Sequence, residues 1–312
     1  MNDRMALGNT AIGILLSLQS ALGILGNFSL IFYYLLLYCT EHTMKIVDVI
    51  LMHVFTTNSL IILSKGLPEI MESFGLIPFF SDVACKFFLY FYRLGKSMSI
   101  SLTALLSVFQ AITISPRNLC CMEFKVKTTA KFMSLLICLC WILHVVVNMI
   151  FPVYTSTKRN RHTNKTQMRD FEFCHSQGRD KIVDSLYTAF CVFPEVLFSL
   201  LIVCSSTFMI VTLYGHKKRV HQILSTCASQ RISPENRATQ TILILVCTFV
   251  AFHTISSILN GYTALYHDSS GWVMNISSII YMCFPTLSPF VMSHDFTVSR
   301  FCFTRIRNRK IT

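Results

Sequence analysis

Seven runs of apolar residues, at roughly 10–38, 46–64, 86–112, 132–152, 184–214, 238–260 and 272–292, constrain this 312-residue chain more than any other feature. Each approaches or exceeds the ~20 residues that an α-helix needs to cross about 30 Å of hydrocarbon. No water reaches backbone amides there, so a span of this length must bond its own N–H and C=O groups, which only a helix does. The expected fold class is therefore all-α, an integral membrane bundle of seven transmembrane helices forming a single domain over residues 1–312. Composition agrees: 53% of residues are apolar and 13% charged, about half the charge of an ordinary soluble domain. The first run begins after a short polar start, as a leader would. Apolarity resumes after Gly26 in IFYYLLLY, too long for a cleaved leader, so an uncleaved first span is expected.

The net charge of +12 would raise nucleic acid as a partner in a soluble protein, but here the basic residues fall mostly between the spans. Basic residues gather in cytoplasmic loops. With the N-terminus outside, the inner segments hold fifteen Lys and Arg. The outer ones hold Arg4, Lys65 and Lys86, and seven more in the loop 153–183. Long loops weigh little in this rule, so the N-terminus is expected outside and the C-terminus in the cytoplasm. The basic tail 300–310, alternating with Phe and Ile, reads as a short membrane-lying segment.

Most of the 13 Cys lie inside spans, where a thiol behaves as a small apolar group. Cys85, at the start of the third span, and Cys174, in the long loop, are placed for an oxidising compartment, as two free thiols or as a bridge. No Cys/His ladder of metal spacing occurs, and neither metal nor cofactor is expected. The same loop carries Asn164-Lys165-Thr166, a glycosylation acceptor that needs the outer face. The matches at Asn27 and Asn275 fall within or at the edge of spans.

Several strings narrow the class. HVFTTNSLIILSKGLPE at 53–69, SISLTALLSVFQAITISPRN at 99–118, ICLCWIL at 137–143, IFPVYT at 150–155, RATQTILILV at 237–246 and FPTLSPFVMS at 284–293 closely resemble the vomeronasal type-1 receptors, G-protein-coupled receptors of the plasma membrane. The resemblance covers nearly the whole chain. It implies a multi-pass receptor for small pheromone-like molecules, a heterotrimeric G protein of the inhibitory class as partner, and a Cys85–Cys174 disulfide pinning the outer loop. The chain departs from rhodopsin-like receptors, with Phe109-Gln110-Ala111 in place of Asp-Arg-Tyr and Ser288-Pro289-Phe290 in place of Asn-Pro-x-x-Tyr. The inner ionic switch of that class therefore does not carry over. Bitter-taste receptors share a general likeness but typically lack the bridge.

Ionisable groups at membrane depth are functional candidates. Arg93 and Lys96 follow Cys85 by 8 and 11 residues, roughly 12 and 16 Å down the third span at ~1.5 Å per residue. Glu195 lies at nearly the same depth in the fifth. One reading pairs Glu195 with Arg93 or Lys96 at a ligand cavity walled by Tyr90, Phe91, Ser97, Ser101 and Tyr187. The other lets the two cations snorkel to headgroups, with Glu195 in a purely structural pair. Pro194 beside Glu195 frees a carbonyl, for packing or for motion. A neutral set, Asn27, His53, Asn58 and Ser288, lies towards the inner half and calls for interhelical hydrogen bonds, either a static brace or a network that biases two bundle arrangements. Arg117, Lys125, Lys127, Lys217, Lys218 and Arg219 form a basic inner rim that attracts anionic lipid and also suits a G protein.

No HExxH, GxSxG, phosphate loop or intramembrane aspartate pair occurs, so the reading is not that of an enzyme. A solute transporter or channel is the rival outside the receptors. It would favour an internal repeat, broken helices or rings of charge, none of which is clear here.

Overall fold

A computed structural model describes residues 2–41, 44–76, 82–114, 122–149, 155–157, 170–171, 174–176, 181–224, 234–265 and 271–309. Seven helices in it are long and apolar enough to cross a membrane. We label them α1 (Asn2–Glu41), α2 (Ile46–Ser73), α3 (Asp82–Ile114), α4 (Met122–Asn148), α5 (Lys181–Leu224), α6 (Pro234–Leu265) and α7 (Gly271–Arg309). Between α4 and α5, three short strands, β1 (Thr155–Thr157), β2 (Asp170–Phe171) and β3 (Cys174–Ser176), form an antiparallel sheet with β3 central. The strand β1 packs against α3, which sets the described sheet beside the third helix.

The helix α3 is the axis of the bundle, in contact with α2, α4, α5 and α6. Its apolar window is 67% buried, against 17% for that of α5. Phe55, Met98, Ile100, Leu102 and Leu106 fill the centre. The outward faces carry Leu18, Leu25, Val211 and Ile258, a surface that only lipid covers at low cost. Several lipid-facing hydroxyls turn back to their own helix: Thr56, Thr207 and Thr248 donate to the carbonyls of Met52, Val203 and Ile244 at 2.7–2.8 Å, which keeps these three bonded in hydrocarbon.

The structure corrects the reading of Lys65 as an outer-segment residue. The second span does not stop at 64. A single π turn, Ile62–Gly66, joins the α-helical Ile46–Ile61 to Leu67–Ser73. Pro68 offers no N–H to the carbonyl four residues earlier, and a slip of the ladder by one residue accommodates that gap. The slip carries Lys65 into the bundle, where it is 9% exposed. Residues 300–309 likewise continue α7 as helix rather than forming a separate element.

Helices α1 and α7 meet across a seam of small residues. A Cβ on Gly26 would lie 2.8 Å from Cγ of Pro289, a rigid ring that cannot step aside. The closeness lets Asn27 do specific work. Pro289 lacks the N–H that the Pro285 carbonyl would otherwise accept, and Asn27 Nδ2 donates to that carbonyl at 2.8 Å and to the Gly23 carbonyl at 2.7 Å. One turn on, Asn58 of α2 donates to Ser288 Oγ at 2.7 Å. His53 does not join this set, contrary to the expectation from sequence. It stands five residues from Asn58, roughly 140° round the helix, and its ring lies 6.1 Å from that of Trp141 on α4.

Two outcomes follow for the seam. Gly26→Val should lower the melting temperature of the purified protein by the equivalent of about 1–3 kcal/mol, whereas Gly215→Ala, where an added Cβ meets nothing within 4 Å, should leave it unchanged or slightly raised. Asn27→Ala, which leaves the Pro285 carbonyl only the longer bond from Ser288 Oγ at 3.4 Å, should cost about 1–2 kcal/mol by the same measurement; no loss would show that Asn27 does not serve that carbonyl.

Candidate functional site

Lys96 and Glu195 are set by their helices at one level. Each stands 14 residues beyond the first residue of its helix, Asp82 and Lys181, and α3 packs against α5. Lys96 Nζ lies 3.3 Å from Glu195 Oε2, with the side chains 15% and 22% exposed. Lys96 thus points across the bundle to a carboxylate and not along the helix to headgroups. Two charges largely removed from water are tolerable only when paired, because either alone would carry an uncompensated desolvation penalty.

The pair stands between two small cavities. One, of about 20 Å³, is lined by Glu195, Pro194, Ser97, His144 and Asn148. The other, of about 30 Å³, is lined by Lys96, Ser99, His253, Ser256 and Tyr281. Ile100 lines both, so the ion pair and one isoleucine lie between two mainly apolar spaces, each with a few polar groups in its wall. Pro194 interrupts the ladder of α5 beside the pair, while Ser199 donates to the Glu195 carbonyl at 2.7 Å.

The other expected site residues divide. Ser97 lines the first cavity. Ser101 is fully buried and already occupied: its Oγ donates to the Ser97 carbonyl at 3.0 Å and lies 2.7 Å from His144 Nε2. Tyr90 donates to the Val145 carbonyl of α4 at 3.4 Å, and Phe91 packs on Phe87 at 4.5 Å; neither lines these two cavities. Arg93 is half-buried and within electrostatic reach of Tyr281, while Lys96 takes Glu195. Cys85 is fully buried and disulfide-bonded. Asn164 and Arg117 lie outside the described residues, as do the side chains of Cys174, Tyr187, Lys125, Lys127, Lys217, Lys218 and Arg219.

Sequence reasoning missed a second buried cluster. Lys65 Nζ is 2.7 Å from Glu69 Oε1, and Ser278 of α7 donates to the same oxygen at 2.7 Å. The ammonium also lies 5.4 Å and 5.7 Å from the ring centroids of Tyr92 and Tyr281, within cation–π range. Tyr281 belongs both to this cluster and to the wall of the second cavity, which connects α2, α3 and α7 to the Lys96 site. The i, i+4 spacing of Lys65 and Glu69 was the available signal.

The profile of the vomeronasal organ pheromone receptor family matches residues 10–304. Human (Homo sapiens) vomeronasal type-1 receptor 4 is 42% identical over 300 residues, which covers 96% of this chain and 99% of the relative. Vomeronasal type-1 receptor 2 of Homo sapiens is 43% identical over 285 residues, 91% of this chain and 72% of the relative. At greater distance, the olfactory receptor class A-like protein 1 of Danio rerio is 26% identical over 283 residues, 91% of this chain and 88% of the relative. Matched over nearly its whole length and folded as seven membrane-crossing helices, the chain belongs to the vomeronasal organ pheromone receptor family.

Proposed function

We propose that this protein is a chemosensory receptor in which a small pheromone-like molecule, entering from the outer side, binds around the Lys96–Glu195 pair and activates a heterotrimeric G protein of the inhibitory class. The observation that carries the reading is the position of that pair: it spans α3 and α5 between two small cavities, in a chain of this receptor family. A partly buried ion pair is nearly neutral in net energy yet costly to leave half-made. A ligand that offers either partner a substitute therefore shifts α5 against α3 at little cost. To signal, it must bind the active arrangement more tightly than the resting one. Pro194 in α5 and Pro285 and Pro289 in α7 interrupt their helical ladders near the site and the seam, where such a shift is easiest to accommodate.

The N-terminus outside and the C-terminus inside complete the reading, together with glycosylation at Asn164 and a Cys85–Cys174 bridge. Support for the bridge comes from the buried, disulfide-bonded Cys85 and from the sheet that carries the backbone of Cys174 while its strand β1 packs on α3. Lys125 and Lys127 near the start of α4, and Lys217, Lys218 and Arg219 near the end of α5, fall at one end of an alternating bundle. Arg117, in the connection between α3 and α4, belongs to that end too. There these residues meet anionic lipid and the G protein. Membership of a receptor family favours this reading over a bitter-taste-like receptor, a transporter or a channel.

In cells challenged with fractionated conspecific secretions, a G-protein readout should appear and be abolished by the toxin that modifies inhibitory α subunits. Lys96→Met and Glu195→Gln should each shift potency by tenfold or more at equal surface expression. Their effects on thermal stability should also couple by about 2 kcal/mol in a double-mutant cycle. Unchanged potency in both variants would remove the pair from the ligand site, and flux of labelled solute without any G-protein signal would overturn the receptor reading.

A further inference from the structure

The second cavity holds an anomaly that the ion pair does not explain. Buried serines and threonines in this bundle characteristically donate to a carbonyl of their own helix: Ser59 to Phe55, Thr103 to Ser99, Ser107 to Thr103 and Ser205 to Leu201, all at 2.7–2.9 Å. Ser99 and Ser256 do not. They are 3% and 2% exposed, and their hydroxyl oxygens have no hydrogen-bond partner. Of the four buried serine hydroxyls without a partner among the described residues, these two line the same cavity, one from α3 and one from α6. A buried hydroxyl left unmade costs about 1–3 kcal/mol. Two that forgo the carbonyl one turn back and line one space are groups waiting for a partner.

The rest of the lining says what that partner is. Ile61, Phe249 and Phe284 supply apolar and aromatic wall. The charged group present, Lys96, is engaged with Glu195. No unmatched charge thus faces the cavity, and the buried atoms without a partner there are the two hydroxyls, beside the His253 imidazole stacked on Phe249. We infer that Ser99 and Ser256 form a subsite that binds the hydroxyl or carbonyl oxygen of a small, neutral, lipophilic ligand whose hydrocarbon body lies against Phe249, Phe284 and Ile61. This inference deepens the receptor reading and rests on it for the ligand's biological role. At about 30 Å³ the cavity admits a water-sized group, so a ligand must part α3 from α6 and α7. That parting couples occupancy to the arrangement of the bundle.

The test uses the full chain in lipid nanodiscs and three matched probes, cyclohexanol, cyclohexanone and cyclohexane, read by thermal shift. Cyclohexanol and cyclohexanone should stabilise the protein more than cyclohexane. In the Ser99→Ala/Ser256→Ala double variant that preference should vanish, the alcohol losing about tenfold in affinity, the worth of one to two hydrogen bonds. Without probe, the double variant should melt at the same temperature as the parent or higher, since it sheds two unbonded polar groups. A lower melting temperature would mean that the serines hold an ordered water only. That result, equal stabilisation by cyclohexane, or a preference that survives the double substitution would each overturn the subsite. The readout needs no G protein, so loss of signalling with this binding pattern intact would bring down the receptor reading instead.

Discussion

Hydrocarbon offers a polar group nothing to bond to, and the bundle is organised around that deficit. Most polar atoms are matched from within the protein, and the matching draws particular helices together. Where a proline removes an N–H, a side chain from another helix takes its place, as Asn27 does for the Pro285 carbonyl. Where a charge enters, a counter-charge stands within reach: Glu195 for Lys96 and Glu69 for Lys65. Small residues such as Gly26 make these short reaches possible by letting backbones approach. Apolar packing against Ile100, Leu102 and Leu106 of α3 then fills what remains.

The same requirement sets apart the stretch of α3 around Lys96, where the proposed ligand site lies. Polar matching there is exchangeable in a way that packing is not. A ligand group can take the place of a side chain in an ion pair or answer a hydroxyl that has no partner, whereas a packed aliphatic contact has no such substitute. Tyr281 extends this exchangeable region, because it touches the Lys65 cluster on one side and lines the cavity of Lys96 on the other. From there α7 leads directly to Pro285, Ser288 and Pro289, the turn held by Asn27 and Asn58. The cavity wall and the turn held by Asn27 and Asn58 thus share one helix, α7.

Much of the fold was legible from residue order because apolar runs of bilayer length admit one backbone solution. Helix ends were less so. A lysine usually marks water, and Lys65 was read that way; its partners are Glu69 one turn later and, through it, Ser278 from a helix 209 residues on. Lys96 and Glu195 stood out because charge in hydrocarbon is rare and helical rise converts position to depth. Ser99 and Ser256 could not be found so. Serine in a membrane helix normally bonds its own backbone, and only the coordinates distinguish those that do from those that do not. His53 shows a different limit: residue count does not fix the direction round the helix, which carries this ring to Trp141.

Everything in this account requires an odd number of membrane crossings, with the two chain ends in different aqueous compartments. Epitope tags at the N- and C-termini, probed by antibody in intact and then permeabilised cells, measure this directly. The account predicts that the N-terminal tag is stained in intact cells and the C-terminal tag only after permeabilisation. Staining of both tags in intact cells, or of neither, would contradict it.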